Sequence, residues 1–217
     1  MEEVPAKKLN KMAQAVIVAD GTFPQHRIPL GFLEKAATVV CCDGSTANLL
    51  AYGLEPDAIV GDMDSLSGEL RSRFADRVFA FSEQETNDLT KAVTWCRNNG
   101  YDDVVILGAS GKREDHAIGN ISLLAEYVKD GNAKMVTDHG IFYAYTSSFT
   151  LEVLKGQQVS VFSVDPSCEI TSEGLAYALT KRKLTNWWQG TLNEATGNTI
   201  KIDFVNGPLI VFVKFSE

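Results

Sequence analysis

The sequence predicts an α/β protein: an N-terminal, mostly parallel α/β sheet domain followed by a C-terminal antiparallel β-sandwich or roll. Up to about residue 138, short apolar runs alternate with longer stretches of helical periodicity. That alternation is typical of a parallel sheet covered by helices on both faces. Beyond residue 140 the chain changes to short alternating runs rich in Thr, Val, Phe and Tyr. Glycines separate these runs, which indicates antiparallel strands.

Six strands and five helices are predicted in the first part. The strands are apolar, mostly β-branched runs at residues 13–19, 38–42, 58–60, 78–81, 103–107 and 133–137. One helix is predicted in each interval between successive strands, at residues 28–35, 46–52, 67–76, 88–98 and 117–129. This alternation places the carboxyl ends of the strands at one edge of the sheet.

The second part shows alternating apolar runs at residues 142–154, 157–164, 198–205 and 208–215. The change in character near residues 138–140 divides the chain into an α/β domain over residues 12–138 and a β-rich domain over residues 139–217. The sequence contains no low-complexity linker and no repeat, so we expect the two parts to pack directly together.

The composition excludes several classes of protein. The chain has 217 residues and a net charge of -8, which argues against a general nucleic-acid binder. Its 45% hydrophobic content can build a core, yet no apolar run approaches the roughly 20 residues of a membrane span. The first residues carry charges and no apolar segment, so a secretory signal is not expected. Four cysteines without a Cys-x-x-Cys pair favour free thiols in a reducing cytoplasm.

Polar segments follow four of the predicted strands, at residues 43–48, 61–65, 84–91 and 108–116. Ligands of parallel sheets bind beyond the carboxyl ends of the strands, so one crevice could collect all four segments. Asp62 and Asp64 form the sharpest pair, because residues two apart can point the same way and two carboxylates need a cation between them. An Asp-x-Asp-Ser segment alone is also typical of a capped turn. Asp43 and Asp88 at matching strand ends favour a Mg²⁺ site.

A glycine-rich turn at residues 108–111 precedes Lys112 and Arg113. Backbone N–H groups at such a turn, beside the start of a helix, suit a phosphate, and Arg113 and Lys91 can neutralise its charge. The spacing differs from that of a Walker A loop. His116 fits two interpretations, a donor to phosphate or a cap of the loop, and the residues alone leave both open.

Taken together, these segments resemble the thiamine pyrophosphokinase family. CCDGSTANLL, PDAIVGDMDSL, QETNDLTKAV and LGASGKREDHAIGN are similar, in this order, to motifs of that family. SEGLAYALTKRKL and GTLNEATGNTIKI resemble its thiamine-domain signature, so the resemblance covers roughly residues 38–213. Two departures are notable. Lys112 takes the place of a second glycine, and Thr191 begins a segment that usually has Ser before Asn.

The resemblance implies that diphosphate is transferred from ATP to the hydroxyethyl group of thiamine, giving thiamine diphosphate and AMP. It implies catalytic residues Asp62, Asp64, Asp88, Lys91 and Arg113, of which the three aspartates would hold Mg²⁺. It implies a nucleotide pocket of Asp43, Asn48, Asp115, His116 and Asn120, and a thiamine site of Trp188, Thr191, Asn193 and Glu194. The family consists of homodimers that bind thiamine where subunits meet, so ATP, thiamine and a second copy are the implied partners, without nucleic acid or membrane.

Three other interpretations remain open at this point. Asp62 and Asp64 could imitate the acidic pair of a haloacid-dehalogenase-like phosphatase, although that family has Thr or Val where this chain has Leu66. A diphosphokinase of another alcohol, such as a hydroxymethyl pterin, would use the same phosphate chemistry. A non-catalytic nucleotide or thiamine sensor would be favoured if a metal carboxylate were missing, and none is. Trp187 and Trp188 could equally be a platform for thiamine or an apolar contact patch.

Overall fold

The structure is a computed structural model and describes residues 14–216; Ala13, predicted to begin the first strand, lies outside them. The first part contains β1 (Gln14–Val18), α1 (Arg27–Glu34), β2 (Val39–Cys42), α2 (Thr46–Tyr52), β3 (Ala58–Gly61), α3 (Gly68–Arg73), β4 (Val78–Ala80), α4 (Asp88–Asn98), β5 (Asp103–Leu107), α5 (Glu114–Tyr127) and β6 (Asn132–Val136). The second contains β7 (Gly140–Tyr145), β8 (Phe149–Glu152), β9 (Gln158–Ser163), β10 (Glu169–Glu173), β11 (Arg182–Lys183), β12 (Asn193–Glu194), β13 (Thr199–Val205) and β14 (Leu209–Lys214).

Ten of these strands form one sheet, in the order β12-β9-β14-β7-β6-β5-β1-β2-β3-β4. The six strands from β1 to β6 run parallel, with β1 at the centre: Val16 lies opposite Val39 of β2 on one side and Val105 of β5 on the other. Their carboxyl ends therefore share one edge, as the alternation of strands and helices predicts. The fold class is confirmed: a mostly parallel sheet with helices is followed by antiparallel strands.

The large sheet continues without a break from the first part into the second. Strand β7 pairs antiparallel with β6, so that Met135 lies opposite Phe142, and β14, β9 and β12 extend the same sheet. A tight turn makes this possible, because Thr137 N donates to Gly140 O at 2.9 Å. Pairing with β7 covers β6, which would otherwise leave its backbone groups exposed at an edge.

The sandwich of the second part is made by two different sheets. A separate sheet in the order β11-β10-β13-β8 packs against β7, β9 and β14 of the large sheet. Val159 and Val211 from the large sheet meet Ile200 of β13 in that interface. Sequence analysis missed β10, β11 and β12, because four of the five residues of β10 are polar and the other two strands are only two residues long.

Helices cover both faces of the parallel part. Apolar residues of α4 and α5, including Leu124, pack with Ile17 and Ile106 on one face. Leu33 of α1 and Leu49 of α2 pack with Val18 on the other. The boundary of α5 differs from the prediction: the helix begins three residues earlier, at Glu114, because Glu114 and Asp115 suit its positive end.

Within residues 14–216 no helix combines the length and apolar character that crossing a bilayer requires.

Candidate active site

A cavity of about 380 Å³ opens at the carboxyl edge of the parallel strands. The loops after β1, β2, β3 and β5 and the first turns of α4 and α5 form its walls. Five of the predicted site residues line it: Asp43, Asp88, Arg113, His116 and Asn120. The structure thus brings together residues that lie up to 77 positions apart (from 43 to 120) in the chain.

Three carboxylates converge at this cavity: Asp43, Asp62 and Asp88 each offer an oxygen, and these oxygens lie within 4.8 Å of one another. We call these three residues the acidic group. Asp64, predicted as a ligand, is exposed and stands outside the group. The reason is the intervening Met63, whose φ of 71° makes a left-handed turn, so that Asp64 N donates to Asp62 Oδ1 at 3.1 Å.

The acidic group fits a divalent cation. Asp43 is only 3% exposed, and its burial raises the pKa of the carboxyl, with further contributions from the charges of Asp88 and Asp62. The backbone N–H groups of Gly44 and Ser65 donate to Asp43 and oppose that rise in pKa. Carboxylate oxygens are the ligands that Mg²⁺ prefers, and a cation would relieve the repulsion among them.

Lys91 lies behind the acidic group, where α4 carries it into the interior. Its Nζ donates to Asp88 Oδ1 at 3.2 Å, and the side chain is only 3% exposed. Asn87 begins α4 by accepting a hydrogen bond from Thr90 N at 2.9 Å, which places Asp88 in the first turn of α4. The start of α4 therefore supplies both a carboxylate, Asp88, and a buried ammonium group, Lys91, three residues later.

Arg113 stands at the N-terminal end of α5 and is held by Asp115. Its Nε donates to Asp115 Oδ1 at 3.0 Å and its Nη2 donates to Oδ2 at 2.6 Å. This paired contact from Arg113 lowers the pKa of the Asp115 carboxyl to about 2. Asp115 thus fixes the guanidinium at the edge of the cavity, while its own Oδ1 also accepts from His116 N.

The glycine-rich loop at residues 108–111 is bound to the loop after β1. Gly21 N donates to Gly108 O at 2.6 Å, and Thr22 N donates to Ser110 O at 2.7 Å. A Cβ at position 21 would lie 2.3 Å from Gly108 O, so this close approach requires glycine. Two loops from neighbouring strands, β1 and β5, are thereby joined into one wall of the cavity.

Sequence analysis missed Asp20, which lines the cavity. Its position was a usable signal, because it follows the central strand of the parallel sheet, where ligands bind. Asn48, predicted to shape the nucleotide pocket, lies instead on the exposed face of α2.

The predicted thiamine residues lie at the far end of the large sheet. Thr191 precedes β12, Asn193 and Glu194 form it, and six strands separate β12 from β2. At about 4.8 Å per strand spacing, Glu194 is roughly 30 Å or more from Asp43 of the same chain. The structure does not bring these residues to the cavity of their own chain.

The side chains of this far end differ in what they contact. Trp188 is 70% exposed, whereas Trp187 packs against Phe162 with ring centroids 5.7 Å apart. Asn193 is buried. Its Oδ1 accepts a hydrogen bond from Tyr177 N at 3.0 Å, and its Nδ2 donates to Tyr177 O at 2.8 Å. Asn193 therefore fixes the segment around Tyr177, whereas Trp188 presents a free apolar surface.

Comparison with known proteins matches two family models along the chain. "Thiamin pyrophosphokinase, catalytic domain" matches residues 31–137, and "Thiamin pyrophosphokinase, substrate-binding domain" matches residues 140–212. The chain belongs to the thiamin pyrophosphokinase family. The resemblance that the sequence motifs indicate is thereby confirmed. Neither the phosphatase interpretation nor the pterin interpretation receives support from these matches.

Relatives with curated names agree with the family. The thiamine pyrophosphokinase of Bacillus subtilis is 34% identical over 119 residues, which span 52% of this chain and 55% of the relative. Thiamine pyrophosphokinase 1 of Oryza sativa subsp. japonica is 29% identical over 198 residues, which span 77% of this chain and 74% of the relative. The chain thus spans about half the length of the first and about three quarters of the second.

Solved structures share the fold. The crystal structure of thiamine pyrophosphokinase from Bacillus subtilis superposes with a TM-score of 0.77 at 24% identity, covering 94% of this chain and 100% of that one. The structure of thiamin pyrophosphokinase from Geobacillus thermodenitrificans gives a TM-score of 0.75 at 25% identity, covering 94% and 98%. The combination of a parallel sheet and an attached sandwich is therefore the fold of this family.

Proposed function

We propose that the protein transfers diphosphate from ATP to the hydroxyethyl group of thiamine, giving thiamine diphosphate and AMP in a Mg²⁺-dependent reaction. Membership of the family supports this activity. The observation that carries the proposal is the acidic group, Asp43, Asp62 and Asp88, with Lys91 buried against Asp88 and Arg113 lining the same cavity. Carboxylates for a metal and cations for phosphate are what transfer of a phosphoryl group requires.

In this proposal the acidic group holds the metal. Asp43 and Asp88 line the cavity and half-buried Asp62 lies beside them, so oxygens of all three can bind one cation. Mg²⁺ held there would supply positive charge that offsets the phosphates of ATP. Asp64, next to Asp62 but exposed, is proposed to act from the outer rim of the site.

The cations of the site are proposed to bind the transferring phosphates. Thiamine oxygen forms a bond to the β-phosphorus, the bond from that phosphorus to the oxygen of AMP breaks, and the hydroxyl proton passes to a carboxylate, for which Asp62 and Asp88 are the candidates. Lys91 and Arg113 would offset the negative charge that develops on the phosphate oxygens. Asp115 holds Arg113, and His116 and Asn120 complete the wall on the nucleotide side.

The thiamine site is proposed to form between two copies of the chain. Trp188, Thr191, Asn193 and Glu194 are separated from the acidic group by most of the width of the large sheet. A single chain therefore cannot place a substrate against both, whereas a homodimer can bring β12 of one copy to the cavity of the other. Exposed Trp188 would then supply an aromatic face for the cationic thiazolium, and Glu194 a nearby negative charge.

We also propose that the protein works in the cytoplasm. The four cysteines, all among the described residues, are free and buried, and no pair of them is bonded. Free thiols of this kind are typical of proteins in reducing compartments.

The direct test is incubation of the protein with ATP, Mg²⁺ and thiamine, followed by separation of the products. Formation of AMP and thiamine diphosphate in equal amounts is the expected result. ADP with thiamine monophosphate would contradict the diphosphoryl step. Replacing thiamine with a hydroxymethyl pterin tests the substrate, and an Asp62→Asn variant serves as the control for contaminating kinases.

A further inference from the structure

An ion pair joins the two loops at the rim of the cavity. Lys112 Nζ lies 2.8 Å from Asp20 Oδ1, and both residues line the cavity. Asp20 follows the central strand β1, whereas Lys112 lies in the loop after β5, 92 positions later. The backbone bonds from Gly21 and Thr22 to the glycine-rich loop hold these two loops together, so the side chains meet without either loop moving.

Asp20 stands between Lys112 and the acidic group. A Cβ built on Gly44 would lie 2.7 Å from Asp20 Oδ2, so the carboxylate lies against the residue that follows Asp43. Asp20 therefore draws the ammonium of Lys112 over the cavity and toward the place where the metal and the phosphates are proposed to lie. Without such a partner, a half-exposed lysine would sample many directions in solvent.

Lys112 is a further cation at the cavity, in addition to Lys91 and Arg113, and a ligand can reach it. Lys91 is buried against Asp88, and Arg113 donates two hydrogen bonds to Asp115. Lys112 makes a single contact, and both partners are about half exposed. Exposed single pairs are weak, so an ammonium group can exchange a carboxylate for phosphate oxygens, with which it makes charge-assisted bonds.

We infer that Lys112 binds the polyphosphate of the nucleotide and that Asp20 is a positioning residue that holds Lys112 over the cavity before the nucleotide enters. This inference rests on the proposed function. It concerns residues of this particular chain, because the family that the motifs resemble has a glycine where Lys112 stands. The ligand it predicts is a nucleoside triphosphate, whose negative charge the lysine would partly offset.

The test compares Lys112→Met, which keeps the length of the side chain and removes its charge, with Lys112→Arg. We expect Lys112→Met to raise the KM for ATP about tenfold, the usual effect of losing one charge-assisted contact, and to leave the KM for thiamine unchanged. Lys112→Arg should restore the KM for ATP to within about threefold of the original. An unchanged KM for ATP in Lys112→Met would overturn the inference.

Asp20→Asn, alone and combined with Lys112→Met, tests the positioning role. Alone, it should raise the KM for ATP about threefold, because Lys112 loses its anchor. In the Lys112→Met background the same change should leave the KM unchanged or lower it, since the carboxylate can then only repel phosphate. An equal rise in KM in both backgrounds would show that Asp20 does not act through Lys112.

Lys129→Met is the matched control, because Lys129 forms a similarly exposed pair with Glu126 at 2.6 Å at the opposite end of α5. It should leave both KM values unchanged, and thermal unfolding should show that all variants fold. Binding of a non-hydrolysable ATP analogue, measured by calorimetry, separates the two proposals. If the unmodified protein makes no thiamine diphosphate, the proposed function fails, whereas a tenfold weaker binding of the analogue to Lys112→Met would still support the role of Lys112.

Discussion

Asn87 and Asn120 are joined by a hydrogen bond of 3.1 Å from Nδ2 of Asn87 to Oδ1 of Asn120. The Nδ2 of Asn120 also donates to Ala109 O at 2.9 Å, so one side chain connects the start of α4 to the glycine-rich loop. Because both elements line the cavity, the pair helps to set the distance between the acidic group and the loop proposed to bind phosphate.

Replacing Asn120 with alanine should therefore impair catalysis more than stability. We expect Asn120→Ala to lower kcat/KM for ATP about tenfold, because the hydrogen bonds that join the start of α4 to the glycine-rich loop are lost. Asn87→Ala removes the same bond and also the cap of α4, so it should additionally lower the free energy of unfolding by about 1 kcal/mol. Kinetics combined with urea unfolding would check this, and equal losses of stability in both variants would contradict it.

The acidic group predicts that replacing one of its carboxylates lowers kcat far more than replacing the neighbouring Asp64. Asp43→Asn, Asp62→Asn and Asp88→Asn should each lower kcat about 100-fold or more and raise the Mg²⁺ concentration needed for half-maximal activity. Asp64→Asn should be the mildest of the four, because Asp64 is exposed and outside the group.

A measurement independent of activity supports this comparison. Mg²⁺ should raise the melting temperature of the unmodified protein and of Asp64→Asn, but have little effect on Asp62→Asn, because only a bound cation stabilises the folded state. If Asp64→Asn abolished the effect of Mg²⁺ while Asp43→Asn preserved it, the metal ligands would be Asp62 and Asp64, the pair that the sequence suggests, and not Asp43.

A site shared between two copies predicts complementation. Asp62→Asn and a Trp188→Ala/Glu194→Ala variant should each be nearly inactive alone. After mixing, unfolding and refolding, about half of the dimers would contain one chain of each kind, and each would have one intact site. Activity should then recover to about a quarter of the original.

The matched control for complementation places all three substitutions in one chain and mixes it with the unmodified chain. Every site in that mixed dimer has a defect, so no activity beyond that of the unmodified homodimers is expected. Full activity of Trp188→Ala/Glu194→Ala alone would contradict a thiamine site at β12, and absence of recovery would contradict a shared site.

The buried thiols predict a loss of stability at alkaline pH. Burial raises the pKa values of Cys41 and Cys96 from 9.0 to about 12. Between these values the unfolded chain releases protons that the folded chain keeps, so the free energy of unfolding falls as pH rises above about 9. The slope should reach about 1.4 kcal/mol per pH unit for each such thiol.

Urea unfolding at pH 7.5 and pH 10 measures this dependence, and Cys96→Ala provides the comparison. The variant should start from a lower stability because it leaves a small cavity, yet its loss between the two pH values should be smaller than that of the unmodified protein. An identical loss in both proteins would show that Cys96 does not contribute to the alkaline instability.

The sequence alone was sufficient for the order of elements in the parallel part. Each predicted strand from 38–42 to 133–137 overlaps the strand found there, and α2 and α4 have the predicted bounds. Buried parallel strands are continuous apolar runs, and caps such as Asn87 mark the starts of helices, so both signals are local. The two-residue strands β11 and β12 give no such signal, because pairing with distant strands creates them.

The sequence by itself determined that acidic residues follow the strands, and hence that the site can bind a metal ion. Which carboxylates meet was decided by the tertiary structure: the left-handed backbone of Met63 turns Asp64 away, and the neighbouring strand β2 brings Asp43 in. Tertiary structure also decided that Asp20 pairs with Lys112 and that β12 lies at the edge of the large sheet, far from the acidic group. Residue types fix what a side chain can bind, whereas strand order and backbone turns fix which side chains share a site.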